Sequence, residues 1–143
     1  MIRQITHAGA LLAIIIPAEY DAPGIHFFTP NELSQQLAQM KRPAGYVIPS
    51  HFHNPLPRAV EYTKEALFIR KGRMRVDLYD DHQVYVESHV LKTGDVLLLT
   101  GGGHGFEMIE ETDMVEVKQG PYPGDVDKTH FPPVDKSRIV IRP

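Results

Sequence analysis

An antiparallel all-β sandwich or barrel is the fold that this chain predicts, and three observations predict it. Short apolar or alternating runs recur along it, such as Met74, Val76 and Leu78 on one face and the continuous run Val96–Leu99. Turn residues punctuate those runs every few positions, at Lys71-Gly72, Asp80-Asp81, Thr93-Gly94-Asp95 and Gly101-Gly102-Gly103. Only one segment, after Thr29, carries the signals of a helix.

In chain order, residues 11–20 read as a first strand. The run from Ala8 to Ile16 follows Arg3 and weakly resembles a signal peptide, but it is rich in β-branched residues and ends at Pro17. It is shorter than the ~20 residues that a bilayer requires. It is read here as a buried or intersubunit strand. Residues 20–24, Tyr-Asp-Ala-Pro-Gly, form a turn by composition, and residues 25–29 a second short strand. Thr29-Pro30-Asn31-Glu32 has the form of a capping box with proline at the first helical position. Leu33, Leu37 and Met40 then follow at helical spacing, so a short helix is expected before Pro43.

From Gly45 onward the expected structure is β. Residues 46–53 read as a strand, with Tyr46 and Phe52 facing sheets or subunits and away from the two histidines. Residues 54–62 hold Pro55 and Pro57 and cannot form a central strand. Strands are then expected at 65–70, 73–79, 83–91, 96–99, 104–109 and 114–118, with 96–99 covered on both sides. The segment after Gly120 is rich in Pro and Asp and is expected to pack along the surface. No repeat or linker divides the chain, so one domain is expected over residues 1–143. Its core barrel would span about 45–118, its N-terminal elements 8–41 and its surface tail 120–143.

Composition bounds the function. The apolar fraction is 42% and the charged fraction 23%, values of an ordinary folded protein. The formal net charge of -3 gives no reason to expect nucleic acid as a partner, and no membrane partner is expected. The chain has no cysteine, which excludes disulfides, thiolate metal clusters and cysteine nucleophiles and is compatible with a cytoplasmic location.

The chemistry concentrates between Gly45 and His104. His51 and His53 lie two apart, so on a strand they share a face. Glu65 shares its face with Leu67 and Ile69, where a carboxylate needs a partner. His104 follows three glycines and shares a face with Phe106 and Met108. Three imidazoles and a carboxylate make a mononuclear metal site if the fold brings them together. Taken singly, each of these residues is as well explained by exposure or an ordinary hydrogen bond.

These residues also carry a resemblance. Gly45, then His51-Phe52-His53, then Glu65 and Gly72 resemble the first motif of the cupins, and residues 94–104 resemble the second. The gap from His53 to Glu65 is longer than the family's, but Glu65 keeps the family's spacing to Gly72, which selects Glu65 over Glu61. Thr100 stands near the family's proline and Met108 near its asparagine. The resemblance implies a cupin-type double-stranded β-helix, a jelly-roll barrel, with one short N-terminal helix ahead of it. It implies metal ligands His51, His53, Glu65 and His104 around one divalent ion: Fe, Mn, Ni or Zn. Zinc would have a nearly closed shell, whereas the others would keep two open positions. A homodimer is also implied, since cupins are commonly dimeric, and residues 11–16 would offer a swapped or paired edge.

Residues 54–64 would then form a long loop beside the site, with Arg58 suited to a carboxylate or phosphate and Lys64 read as a solvated charge. Glu61 and Tyr62 are the candidates for a base. Glu107 is expected to be solvated. His7, His26, His82, His89 and His130 have no partner at metal spacing. Residues 115–127 are similar to the end of the cupin domain in type II mannose-6-phosphate isomerases, which implies a sugar substrate. The leading expectation is therefore a metal-dependent isomerase or epimerase acting on a sugar, sugar phosphate or nucleotide-sugar-like polar metabolite. The alternatives are a dioxygenase using Fe(II) and a non-catalytic barrel that binds a small ligand.

Overall fold

The computed structural model describes residues 1–143. Its regular structure is β, with two short 3-10 turns at Gly124–Asp127 and Lys136–Arg138 and no α-helix. No helix is long and apolar enough to cross a membrane. The strands are β1 (Arg3–His7), β2 (Ala10–Ile16), β3 (Gly24–Phe27), β4 (Ala38–Lys41), β5 (Glu65–Lys71), β6 (Arg73–Tyr79), β7 (Tyr85–Lys92), β8 (Val96–Leu99), β9 (Gly103–Met108), β10 (Asp113–Lys118) and β11 (Ile141–Arg142). The chain forms two compact units, one made of Met1–Tyr20 with Thr63–Pro143 and the other of Asp21–Tyr62.

The larger unit has two sheets. One has the order β1-β2-β8-β5-β10 and the other β11-β7-β6-β9. All pairings are antiparallel except that of β11 with β7. Their inner faces share one apolar cluster. Ile5, Leu12, Ala13, Ile15, Leu67, Ile69, Leu97 and Leu99 come from the first sheet, and Met74, Val76, Leu78 and Leu91 from the second. Alternation decides which residues these are. Met74, Val76 and Leu78 are fully buried, while Arg73 is exposed and Arg75 only partly buried. β2 and β8 are central strands, and Ile14 and Leu98 on their second face are also fully buried. This accounts for their unbroken apolar runs. Each such side chain contributes on the order of 1.5–3 kcal/mol by leaving water.

Turn chemistry fixes the registers. Asp80 Oδ1 accepts from the backbone of His82 and Val84, closing the β6–β7 hairpin. Asp95 is buried, and its two oxygens accept from Ala18 N and Lys92 N, tying the β7–β8 turn to the end of β2. The tail lies along the four-stranded sheet. Phe131 stands edge-on to Tyr79 at 4.9 Å between ring centroids, Val134 N donates to the Tyr79 hydroxyl, and β11 pairs with β7.

Two expectations fail here, and one strand was not foreseen. Residues 11–16 are not an available edge, because β2 is paired on one side with β1 and on the other with β8. The strand β1 was not foreseen, since Ile5 is its only buried residue. Lys64, expected in solvent, is buried.

The smaller unit corrects two more. The expected helix after Thr29 does not form: β3 and β4 pair as an antiparallel ribbon, and residues 28–37 make the connection between them. Thr29 accepts at its hydroxyl from Leu37 N, eight residues on, and donates to Gln36 Oε1. The Gln36 amide in turn donates to the carbonyls of Pro30 and Leu33. A helix of about three turns is marginal alone, and these bonds favour the closed loop instead. Residues 42–62 join no sheet, so the expected strand over 46–53 is absent. Pro49 in its middle removes a ladder donor. Thr29 is the only buried residue of this unit.

Candidate functional site

Glu65 opens β5, directly opposite Leu99 of β8 on one side and Lys118 of β10 on the other. Leu99 belongs to the core cluster, so the cross-strand register aims the carboxylate at the inner face. His104 lies on β9 opposite Leu78 of β6, a fully buried residue of the facing sheet. The two side chains meet from the two sheets, with His104 Nε2 3.4 Å from Glu65 Oε2. Glu65 is 8% exposed. The hydrogen bond from His104 holds its carboxyl below the usual carboxylate range, against the burial that would raise it. Lys118 Nζ, 3.8 Å from Glu65 Oε1 and 3.1 Å from Glu116 Oε1, adds to the lowering.

The inner face around His104 carries further groups. Phe106 lies 5.3 Å from the His104 ring, centroid to centroid. Glu87 of β7 is opposite Leu78, and His89 opposite Val76, so both share the face of His104. His89 Nε2 is 2.8 Å from Glu87 Oε1, and its Nδ1 is buried without a hydrogen-bond partner. Sequence spacing gave His89 no metal partner; its partner is the carboxylate two residues earlier on the same face. Lys118 was also missed. Its position opposite Glu65 depends on the β5–β10 register, which no local pattern displays.

His51 and His53 lie in the exposed stretch of the smaller unit, their ring centroids 5.4 Å apart in a T-shaped arrangement. His51 Nδ1 is 2.8 Å from the carbonyl oxygen of Pro49. A proton on Nδ1, donated to that oxygen, leaves Nε2 with its lone pair, the tautomer a metal requires. Arg58, Glu61 and Tyr62 are exposed in the same stretch. Within neither unit do three or more His, Asp or Glu side chains form a group able to hold a metal ion.

On the outer face of the four-stranded sheet, Arg75 donates to Asp77 through Nε at 2.7 Å and Nη2 at 3.0 Å, and through Nη2 to Glu107 at 2.9 Å. Ser88 Oγ donates to Asp77 Oδ1 at 2.5 Å. Burial would raise the Asp77 carboxyl, but the hydrogen bonds from Arg75 and Ser88 outweigh it and hold it below the usual range. Glu107, expected to be solvated, is the second acceptor of this network. No family model matches the chain, and no curated protein or solved structure matches it.

Proposed function

We propose that this chain is a cupin-type protein that binds one divalent metal ion through His51, His53, Glu65 and His104 and uses it on a small polar or anionic metabolite. The observation that carries the reading is the Glu65–His104 pair. A buried, ionised carboxylate and an imidazole reach each other from two different sheets, which supplies half of the donor set. The hydrogen bond of His51 Nδ1 to Pro49 O supports the same reading, since it leaves Nε2 as a donor. Three nitrogens and one carboxylate suit Fe, Mn, Ni or Zn.

The bound ion would supply a Lewis acid for a substrate carbonyl oxygen. The chain's own residues would do the rest. Arg58 would orient a phosphate or carboxylate by a paired hydrogen bond, and Glu61 or Tyr62 would move a proton between neighbouring carbons. The reaction class this favours is sugar isomerisation or epimerisation, resting on the similarity of residues 115–127 to sugar isomerases.

The test is metal analysis of protein purified without chelator or nickel affinity resin, followed by a screen of sugar phosphates and nucleotide sugars without oxygen. One ion per chain is expected in the wild type. Loss of that ion is expected in His51→Ala, Glu65→Gln and His104→Gln. A wild type that binds no ion, or a His51→Ala chain that binds as the wild type does, would overturn the reading.

A further inference from the structure

We infer that Lys118 is a tethered rival of the metal ion: its ammonium and the ion compete for the Glu65 carboxylate, and Glu116 tips the balance by drawing the ammonium away. This builds on Glu65 being a metal ligand, as proposed above, and adds what sets the tightness with which the ion is held.

Strand register puts the lysine there. Glu65 and Lys118 are direct partners in the β5–β10 ladder, and Glu116 is the partner of Leu67. Leu67 belongs to the core cluster, and Met114 of β10 packs against that cluster. Met114, Glu116 and Lys118 therefore share the inner face of their strand. Directly opposed residues hold their Cβ atoms roughly 5 Å apart. The pairing keeps the root of the Lys118 side chain beside Glu65 and leaves only its flexible four-carbon stem to move.

Two carboxylates share this one ammonium. Lys118 Nζ is 3.1 Å from Glu116 Oε1 and 3.8 Å from Glu65 Oε1. The first is a hydrogen-bonding distance, and the second is an ion pair without a hydrogen bond. An ammonium has three donors, so the bond to Glu116 leaves two that can turn to Glu65. The hydrogen bond to Glu116, with the charge of Glu65 behind it, holds the ammonium above the ordinary lysine range, so it is a fixed positive charge at neutral pH.

The two carboxylates are not equivalent. Glu65 is buried, whereas the Glu116 side chain is 40% exposed. Charges act on a buried carboxylate with less screening. The hydrogen bond from His104 is the largest influence keeping Glu65 ionised, and Lys118 and Lys128 add to it. An ion held by Glu65 would lie about 2.0–2.2 Å from a carboxylate oxygen. The ammonium, 3.8 Å from the same carboxylate, then stands within roughly 6 Å of the ion. Repulsion between a divalent and a single positive charge at that range lowers affinity roughly tenfold even at the dielectric constant of water. Glu116 offsets this by holding the ammonium on its own side. Loss of the ammonium should therefore tighten the ion's hold, and loss of Glu116 should loosen it. Mere damage to the site would loosen it in both cases.

The test uses the full-length chain with a non-histidine affinity tag. Cobalt(II) is the probe, titrated at neutral pH and read by its absorption and by elemental analysis. Circular dichroism checks that each variant is folded. Lys118→Met should bind cobalt roughly tenfold more tightly than the wild type. Lys118→Gln should do the same, and it serves if the Met variant fails to fold. Lys118→Arg keeps the charge and should match the wild type, while Glu116→Gln should bind more weakly. Lys136→Met is the control: that lysine is 83% exposed beside Glu107 on the outer face, and its loss should change nothing. Thermal melts give a second readout. Without cobalt, Lys118→Met should melt below the wild type, because Glu65 has lost a counter-charge. Cobalt should then raise its midpoint by more than it raises that of the wild type. Neutral variants that bind cobalt no more tightly than a cobalt-binding wild type overturn the inference and leave the metal reading standing. A Lys118→Arg chain that tightens as the neutral variants do overturns it as well, since charge is then not the cause. If the wild type binds no cobalt, the metal reading itself fails and the inference falls with it.

Discussion

Gly102 is a residue whose replacement the structure sharply forbids. It sits in the turn before β9, at a φ of 64°, in the left-handed region. A Cβ there would stand 2.1 Å from the carbonyl oxygen of Tyr79 and 2.9 Å from Leu12 Cδ2. The first of these is backbone at the end of a buried strand and cannot swing aside. Gly102→Ala therefore carries a conformational cost of roughly 1–2 kcal/mol. Overpacking adds roughly 1–3 kcal/mol, for a total of roughly 2–5 kcal/mol. At roughly 3 °C per kcal/mol for a chain of this size, the thermal midpoint should fall by about 6–15 °C. Gly105 is the control. It lies two residues into the same strand with open space where its Cβ would be and no positive φ. Gly105→Ala should stay within about 1 kcal/mol of the wild type. Thermal melts followed by far-ultraviolet circular dichroism read both. A Gly102→Ala protein that melts within 2 or 3 °C (about 1 kcal/mol) of the wild type would refute the turn geometry, and with it the approach of β9 to the core.

Three other outcomes are expected. Leu97, fully buried between the two sheets, should cost about 2–5 kcal/mol as Leu97→Ala, read as a lower urea midpoint at unchanged slope. The Asp77 carboxyl is lowered in the folded chain, so its contribution is complete above its ordinary value of 3.8 and fades as pH falls through the lower folded value. Asp77→Asn should therefore cost about 1–3 kcal/mol at pH 7 and progressively less below pH 3.8, measured by urea unfolding at several pH values; a gap that does not narrow would count against the Arg75–Asp77–Ser88 network. If the chain binds the ion proposed above, loading should fall as pH drops to or below about 6.5, where free imidazole takes up a proton, and equilibrium dialysis that finds the ion retained at pH 4 would exclude histidine ligation.

Much of the larger unit was legible because its signals are local. Met74, Val76 and Leu78 alternate, Val96–Leu99 is apolar throughout, and Asp80 and Gly94 mark their turns. Glu65 stood out as a charge on an apolar face, and the structure gives it His104 as a partner. What local pattern could not display was pairing. Lys118 faces Glu65 only through the β5–β10 register, and Glu87 joins the His104 face only through β6. The smaller unit misled for a related reason. Thr29-Pro30-Asn31-Glu32 has every mark of a helix start, but bonds from Leu37 and Gln36 to the Thr29 hydroxyl and nearby carbonyls made a loop the better solution. Residues 46–53 have the composition of a strand, but a strand exists only beside a neighbour, and Pro49 weakens any claim to a central place.

The C-terminal tail gives the four-stranded sheet a direction. By lying against β7 and anchoring Phe131 and Val134 on Tyr79, it shuts one flank of that sheet and leaves the other available. The backbone groups of β7 at Ser88 and His89 are thereby spent inside the chain rather than left open along an edge. A protein shortened before Phe131 would uncover that stretch and strip Tyr79 of its ring neighbour and of the donor to its hydroxyl, so it should be less stable and more prone to aggregate on heating.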